Sequence, residues 1–248
     1  RLGETVTGFR QDGDSVLTLL EESEPLHSDM VLLAIGVTPD THLAKDAGLR
    51  LGIRGSIVVN ERMETSAPDI YAVGDAVEVT HFVTAQKALI SLAGPANKQG
   101  RIAADNICGG NSRFTGSQGS SVLKVFDLTA ASTSINEKTA KAAGIAYEKV
   151  VLFPASHASY YPSAQSLTMK VLYEKETLRL LGAQIVGREG ADKRIDVLAT
   201  AIRAGMTALE LTELDLAYAP PYSSAKDPVN MAGFMIEDLE NGKVRQFH

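Results

Sequence analysis

The chain has 248 residues, of which 44% are hydrophobic, and its formal net charge at pH 7 is −6. This length suffices for one large or two small domains with ordinary apolar cores. Because the balance is acidic and the two signs of charge are mixed along the chain, nucleic acid is not an expected partner. No apolar run approaches the ~18 residues of a membrane span, so no membrane partner is expected either. The single cysteine, Cys108, excludes an internal disulfide and fits a reducing, cytoplasmic compartment.

The first part of the chain has the composition of β-strands. We predict strands at residues 2–9, 15–20 and 30–35. The third run is almost wholly apolar, which predicts burial on both faces. Three strands without a preceding crossover helix are typical of the tail of a larger sheet.

Short elements and then a long helix are predicted next. Residues 41–47 predict a helix that ends at Gly48, and residues 56–59 predict a short strand. Residues 70–73 predict a buried strand that stops at Gly74. In the following segment, 85–108, the pair Gly94-Pro95 marks the start of the main helix, and Gly109 and Gly110 predict its end.

From about residue 117 the pattern changes to alternating strands and amphipathic helices. The predicted strands are 122–128, 147–153, 167–173 and 180–186, and the predicted helices are 136–143 and 192–204. In the second helix, one apolar stripe consists of Ile195, Leu198, Ala199 and Ile202. The Gly- and Ser-rich residues 115–121 are the best candidate for a domain boundary.

Asp75 is unusual because a carboxylate follows an apolar run directly. A strand that ends at a glycine allows a ligand to approach the backbone, and ligands of open α/β sheets lie beyond the carboxyl ends of the strands. Asp75 would then accept a hydrogen bond from a sugar-like hydroxyl. The alternative is that Gly74-Asp75 is only a turn in which Asp75 caps the next segment.

The surroundings of Gly74-Asp75 resemble a known family. The segments VLLAIGVTPD, AGL, GSIVVNERMETS and IYAVGDA, in this order and spacing, resemble the flavoprotein pyridine nucleotide-disulfide oxidoreductases. The resemblance implies FAD and NAD(P)H as cofactors. It also implies that Gly74 and Asp75 form the second FAD motif, in which Asp75 contacts the ribityl chain of the flavin. Residues 34–39 would cross back from the NAD(P)H domain to the FAD domain.

The segment LAGPANKQGR, residues 92–101, resembles the helix start that faces the pyrimidine edge of the flavin in this family. The positive end of a helix dipole stabilises the negative charge that accumulates there on reduction. The resemblance therefore implies that Leu92 and Ala93 bind the cofactor, with Ala93 closest. The alternative is an ordinary helix that begins near a proline.

The segment YAPPYSSAKDPVNMAG, residues 218–233, resembles coenzyme A-disulfide reductases and their NADH-oxidase-like relatives. In those enzymes two tyrosines of the dimerisation domain reach the active site of the partner subunit. The motif SHASYYPSA matches the first, with Tyr160 preferred over Tyr161, and Tyr218 matches the second and also lies at the flavin. A phenol can donate a hydrogen bond to a thiolate without ionising.

Two further residues, Asn97 and Lys226, receive roles from the resemblance, and two others, His157 and Cys108, do not. The resemblance implies that Asn97 and Lys226 contact coenzyme A, and an ammonium group suits a phosphate. A solvated loop lysine is the alternative for Lys226. We expect His157 to make local hydrogen bonds only. Cys108 does not match the redox cysteine of the family, and we expect it to be structural.

The resemblance covers nearly all of the chain but only the C-terminal half or so of the family's polypeptide. The first FAD fingerprint, the nucleophilic cysteine and the glycine-rich turn of the NAD(P)H site are not found in the sequence. We therefore expect an N-terminal half to be supplied by another segment of the same polypeptide. The last residues also resemble the linker that leads into a rhodanese-like domain in some members.

The expected fold combines α/β with α+β. We expect the C-terminal strands of a Rossmann-like NAD(P)H domain at 1–38, the second half of an FAD-binding domain at 39–116, a dimerisation domain with an antiparallel sheet at 117–240, and a tail or linker at 241–248. The expected activity is FAD-dependent, NAD(P)H-driven reduction of coenzyme A disulfide, persulfide or polysulfide by a homodimer, with no metal. The alternatives are an NADH oxidase or peroxidase of the same family, or a dimerisation module without catalysis.

Overall fold

The computed structural model describes residues 1–245. These residues form two compact units, one comprising Arg1–Thr38 and one that begins at Pro39. Throughout the described residues, no helix combines the length and apolar character that crossing a membrane requires.

The first unit is a three-stranded antiparallel sheet of order β1-β2-β3, formed by β1 (Val6–Asp12), β2 (Ser15–Leu20) and β3 (Leu26–Ser28). The predicted strand at 30–35 is wrong. Residues 30–35 form no strand, and Leu32 and Ile35 are 84% and 90% exposed. An extended apolar segment becomes a strand only when a neighbour accepts its hydrogen bonds, and no strand of this unit pairs with residues 30–35.

The second unit begins with short elements and one long helix: α1 (His42–Asp46), β4 (Val79–Thr80), β5 (Lys87–Ala88) and α2 (Ala93–Ile107). The predicted helix at 41–47 is confirmed by α1. The predicted start of the main helix at Gly94-Pro95 is also confirmed, because Gly94 and Pro95 lie in the first turn of α2. The predicted strand at 56–59 is reduced to isolated bridges made by Ile57. A small core joins this part, formed by Val59, Met63, Val77, Val79, Ala103 and Phe114.

The remainder is built on a five-stranded antiparallel sheet of order β6-β7-β10-β9-β8. Its strands are β6 (Ser121–Val125), β7 (Leu128–Ser134), β8 (Tyr147–Leu152), β9 (Thr168–Glu174) and β10 (Leu180–Gly187). Its helices are α3 (Glu137–Ala142), α4 (Ala191–Ala204) and α5 (Pro228–Glu240). The strand β10 is central, because Gln184 pairs with Lys170 on one side and with Ser132 on the other.

Helices cover both faces of the sheet. Successive side chains of β9 point alternately to the two faces and pack against different helices. Met169 and Val171 belong to the large core that includes α4 and α5. Leu172, between Val171 and the end of the strand, faces the opposite way and packs in a smaller core with Ala140 of α3. The period of two in the sequence therefore places successive side chains in two different cores.

Glu137, the first residue of α3, fastens this helix to the sheet. Its carboxylate accepts hydrogen bonds from Lys149 Nζ on β8 at 2.7 Å and from Lys170 Nζ on β9 at 2.7 Å. The hydroxyl of Tyr147 donates a third at 3.1 Å. The hydrogen bonds from Lys149 and Lys170 lower the pKa of Glu137 from 4.5 to about 2.

We expect Glu137→Gln to lower the free energy of unfolding by about 1 kcal/mol at neutral pH, the scale of a partly exposed ion pair. Since the folded-state pKa of about 2 lies below the ordinary value of 4.5, this stabilisation is complete above pH 4.5 and is lost as the pH falls towards 2. Urea unfolding of both proteins between these pH values measures the difference. The exposed Glu176→Gln is the matched control and should cost nothing measurable. A difference that stayed constant down to pH 2 would contradict the assignment.

Candidate functional site

Gly74 opens a single turn of 3-10 helix, residues Gly74–Ala76, which packs against α2. Its φ of +83° lies in the left-handed region that glycine adopts without strain. The N–H of Gly74 donates to Oε1 of the buried Gln99 on α2 at 2.7 Å. The turn that carries Asp75 is therefore fixed to this helix.

The side chain of Asp75 is exposed, and its carboxylate makes no hydrogen bond or ion pair within residues 1–245. The predicted buried strand at 70–73 is wrong: Ile70 and Val73 are exposed, and only Tyr71 forms a bridge, to Glu64. Four apolar residues without a continuous strand partner are too few to make a buried strand. The positive φ at position 74 thus requires glycine, and the carboxylate of Asp75 is accessible to a ligand.

The start of α2 leaves backbone donors for a ligand. Leu92 precedes the helix in an extended conformation, and no side chain caps the first turn. Pro95 has no N–H to donate, so the donors here are the amides of the first helical residues. Ala93 and Asn97 are both exposed on this turn or the next. An acceptor at Asp75 and these donors at Ala93 therefore lie on two elements that pack together.

Two tyrosines that lie 58 residues apart in the sequence meet in the second unit. The hydroxyls of Tyr160 and Tyr218 are 2.6 Å apart and hydrogen-bonded. Tyr160 is 75% exposed and Tyr218 is 45% exposed, so both phenols are accessible. The ring of Tyr161 instead contacts the ring of His157 edge-on. Of the two candidates Tyr160 and Tyr161, it is Tyr160 that reaches Tyr218.

The hydrogen bond with Tyr160 raises the pKa of Tyr218 above its ordinary value of 10. The direction is that expected when Tyr218 donates in its neutral form, since ionisation would remove the proton that forms the bond. Tyr218 therefore keeps its proton at neutral pH. The pair can donate a hydrogen bond to a sulfur or oxygen anion placed beside it.

His157 shapes the loop that carries Tyr160. Its Nδ1 lies 3.1 Å from Oγ of Ser156, and its Nε2 lies 3.0 Å from the carbonyl oxygen of Pro162. His157 is buried, and both ring nitrogens are occupied by the loop itself. This agrees with the expectation that His157 makes local hydrogen bonds only.

A cavity of about 470 Å³ lies beside Tyr218. Tyr222 and His157 give its wall aromatic character, and its charged lining residues are Glu189, Lys193 and Arg194. The cavity thus offers room for a small polar group next to the tyrosine pair.

The other expected site residues lie elsewhere. Lys226 is exposed and lines a separate groove of about 510 Å³ with Met231 and Phe234 of α5. No hydrogen bond or ion pair in the described part of the chain joins Asp75, Asn97 or Lys226 to the tyrosine pair. Cys108 is an exposed free thiol that follows α2 at its C-terminal end, and its expected structural role stays a prediction.

Comparisons with known proteins agree on the class. The family model described as pyridine nucleotide-disulphide oxidoreductase matches residues 1–100, and the model of the dimerisation domain of the same family matches residues 120–228. The chain belongs to the pyridine nucleotide-disulphide oxidoreductase family. The expected mixture of α/β and α+β, with an antiparallel sheet in the dimerisation domain, is confirmed. Members of this family use FAD and NAD(P)H.

Three relatives are similar over most of the chain. The coenzyme A disulfide reductase of Staphylococcus aureus (strain JH9) is 38% identical over 210 residues, which is 84% of this chain and 47% of that protein. Reduced CoADR-RHD from Bacillus anthracis is 49% identical, with a TM-score of 0.92 over 98% of this chain and 44% of that one. An NAD-dependent persulfide reductase from A. fulgidus is 42% identical, with a TM-score of 0.94 over 99% of this chain and 45% of that one. The chain spans about half the length of the curated relatives that it matches.

The residues present fit a flavin. A free carboxylate at Asp75 suits the hydroxyls of a polyol chain, and the uncapped start of α2 suits an electron-rich ring edge. The positive φ of Gly74 allows the tight turn that carries Asp75. None of these groups is committed to another partner among residues 1–245, apart from the Gly74 amide, which holds the turn in place.

Sequence reasoning missed three residues that build the site: Gln99, Arg194 and Asp227. Arg194 lies on the buried face of α4, one residue before Ile195. The helical periodicity that identified the apolar stripe therefore also indicated a charged residue beside that stripe. Asp227 precedes Pro228, and an acid followed by proline is a typical helix start. That signal would have found both the N-cap and α5.

We expect Tyr160→Phe to return the pKa of Tyr218 towards its ordinary value, because the phenol loses its hydrogen-bond partner. A pH titration of tyrosine rings labelled with ¹³C at the ζ carbon measures this, and the chain has only seven tyrosines to assign. Tyr161→Phe is the matched control and should leave the pKa of Tyr218 unchanged. An equal shift in both variants would mean that the two hydroxyls are not paired in solution.

Proposed function

We propose that this chain is the C-terminal portion of an FAD-dependent NAD(P)H:disulfide oxidoreductase that reduces coenzyme A disulfide or a related persulfide or polysulfide. The observation that carries the proposal is the pair of exposed, hydrogen-bonded phenols of Tyr160 and Tyr218 on a domain that matches the family's dimerisation model. The similarity to a coenzyme A disulfide reductase and to a persulfide reductase supports a sulfur-containing acceptor.

In this function the Gly74 turn and α2 hold the flavin. Asp75 accepts hydrogen bonds from hydroxyls of the ribityl chain, and the start of α2, at Leu92 and Ala93, directs backbone N–H groups at the pyrimidine edge. FAD held by the Gly74 turn and α2 would supply the acceptor for a hydride from NAD(P)H and the electron donor for a cysteine sulfur. The helix dipole stabilises negative charge without a titrating cation, so its effect does not depend on pH near neutrality.

The tyrosine pair serves the sulfur end of the reaction. When a disulfide is reduced, the departing thiolate carries negative charge, and a phenol that donates to it lowers the cost of that charge. In the arrangement in which Tyr218 donates to Tyr160, the hydroxyl hydrogen of Tyr160 is the one left to bond the thiolate. Asn97 and Lys226 are proposed to contact coenzyme A, with the exposed ammonium of Lys226 available to a phosphate.

The same proposal includes a cytoplasmic homodimer. The hairpin of β6 and β7 exposes apolar side chains, namely Val122, Leu123, Val125, Phe126 and Leu128, and Phe126 is 92% exposed. Contiguous apolar surface of this kind is typical of an interface between subunits. A dimer would let the tyrosines of one subunit reach the flavin and cysteine of the other.

We expect the isolated 248-residue chain to show no NADH-dependent reduction of coenzyme A disulfide. The physical reason is that the cavity beside the tyrosine pair has no cysteine among its lining residues, and the single cysteine, Cys108, follows α2 at its C-terminal end. Loss of NADH absorbance is the measurement, with the whole enzyme encoded by the surrounding gene as the positive control. Turnover by the purified chain would contradict the proposal.

The same assay separates the alternatives. With the whole enzyme, oxygen or peroxide accepted in place of coenzyme A disulfide would indicate an oxidase or peroxidase of the same family. A colourless dimer that takes up no FAD, even when the missing half is supplied in trans, would indicate a module that serves dimerisation alone.

We expect Asp75→Asn in the whole enzyme to weaken FAD binding about tenfold or more, because a charged acceptor typically contributes about 1.5–3 kcal/mol to a hydrogen bond. Titration of the flavin-free protein with FAD, followed by flavin fluorescence, measures the affinity. The matched control is Asp69→Asn, an exposed acid with φ +61°, where asparagine fits the backbone equally well. If Asp75→Asn binds FAD as tightly as Asp69→Asn does, the role of Asp75 is excluded.

A further inference from the structure

Arg194 is a charged side chain in the interior of the second unit, with 1% of its surface exposed. It lies in the first turns of α4, beside the apolar stripe. Its Nη2 lies 3.1 Å from Oδ2 of Asp227, which neutralises the charge. Removing a guanidinium from water costs several kcal/mol, so a buried arginine needs a charged partner and hydrogen bonds within the protein to offset that cost.

The hydrogen bonds of Arg194 reach two segments that are distant in sequence. Nη2 donates to the carbonyl oxygen of Ser156 at 2.8 Å, in the loop that carries Tyr160. It also lies 3.4 Å from the carbonyl oxygen of Tyr222 and 3.2 Å from Oγ of Ser223, in the loop that carries Tyr218. One guanidinium therefore joins the two loops.

Tyr160 lies four residues after Ser156, and Tyr218 lies four residues before Tyr222. The loops also share one backbone hydrogen bond, from the N–H of Ala158 to the carbonyl oxygen of Ser223 at 2.9 Å. Each tyrosine is thus one short loop segment away from the guanidinium. Two exposed phenols keep a separation of 2.6 Å only if the loops beneath them are fixed relative to each other.

The surroundings of Arg194 are built for this arrangement. Nη1 donates to the carbonyl oxygen of Gly190 at 3.2 Å. A Cβ at Gly190 would lie 2.1 Å from Nη1, and the φ of +78° also requires glycine. Asp227 accepts a hydrogen bond from Oγ of Ser223 at 2.6 Å and caps α5 through the N–H of Val229. The ion pair therefore connects α4, α5 and both tyrosine loops.

We propose that Arg194, neutralised by Asp227, is the positioning residue that holds Tyr160 and Tyr218 in hydrogen-bonding contact. The proposal rests on the proposed function for its catalytic meaning, since it assigns to Arg194 the geometry of the pair that would face the sulfur substrate. Arg194 acts through the loops and does not touch the phenols. A lysine cannot reproduce these contacts, because Nη2 binds both loops while Nη1 binds Gly190, and an ammonium has no second nitrogen to do both.

The test is the pKa of Tyr218 in Arg194→Lys, measured by NMR titration of the labelled tyrosine rings in the 248-residue chain. We expect the pKa to fall towards its ordinary value, as in Tyr160→Phe. In the double variant Arg194→Lys with Tyr160→Phe, we expect no further fall, because both changes remove the same hydrogen bond. Circular dichroism monitors the fold in each sample.

Arg203→Lys is the matched control, because it is the same substitution at an exposed position of the same helix. It should leave the pKa of Tyr218 unchanged. If Arg194→Lys does not fold, Ser223→Ala provides the second variant, since it removes only the hydroxyl between Arg194 and Asp227 and should lower the pKa of Tyr218 part of the way. A raised pKa that persists in folded Arg194→Lys, or in Ser223→Ala where the first variant does not fold, overturns the proposal.

The two proposals fail in different measurements. The coupling of Arg194 to Tyr218 is measured without substrate, flavin or turnover. If Tyr160→Phe and Tyr218→Phe leave the turnover of the whole enzyme unchanged, the proposed role of the tyrosines fails while the positioning by Arg194 stands. If turnover depends on both tyrosines but the pKa of Tyr218 does not respond to Arg194, only the positioning role fails.

Discussion

A buried guanidinium must find all of its favourable interactions inside the protein, and the position of Arg194 therefore constrains everything that touches it. Its carbonyl partners at Ser156 and Tyr222 belong to loops with few other connections to each other, and its charge requires Asp227 at the start of α5. Its Nε has no hydrogen-bond partner among residues 1–245, so the arrangement carries an energetic cost. A site retained at such a cost is more readily explained by the geometry it fixes than by the stability it adds.

The Gly74 turn and the start of α2, which we propose hold the flavin, depend on a different and more local constraint. The Gly74 turn is joined to α2 by one hydrogen bond from its backbone to the buried Gln99, and glycine is needed there because of the positive φ. Asp75 and the start of α2 are therefore placed by elements only some 20 residues apart in sequence. One short stretch of sequence therefore contains both of these elements, whereas the tyrosine pair needs contacts between segments 58 residues apart.

Sequence periodicity predicted the parts of the fold in which the pattern and the surroundings agree. The strands β8, β9 and β10 and the helix α4 were recognised because large apolar residues recur at the period of the element that buries them. The strand β7 was missed because TAASTS has small and hydroxyl-bearing residues, and it becomes a strand by lying between β6 and β10. Residues 30–35 show the converse: an apolar run that has no pairing partner in its unit forms no strand.

Motif resemblance proposed Asp75, Tyr160 and Tyr218 one by one, and it did not predict how they assemble. The structure joins the two tyrosines, and no hydrogen bond in the described residues joins Asp75 to either of them. If the apolar hairpin of β6 and β7 forms a two-fold interface, each subunit gives its tyrosine pair to its partner and receives one in return. The rigidity that Arg194 confers is then needed because a group donated across an interface has no local backbone contact with the site it serves. Its geometry must be fixed within its own subunit before the two subunits meet.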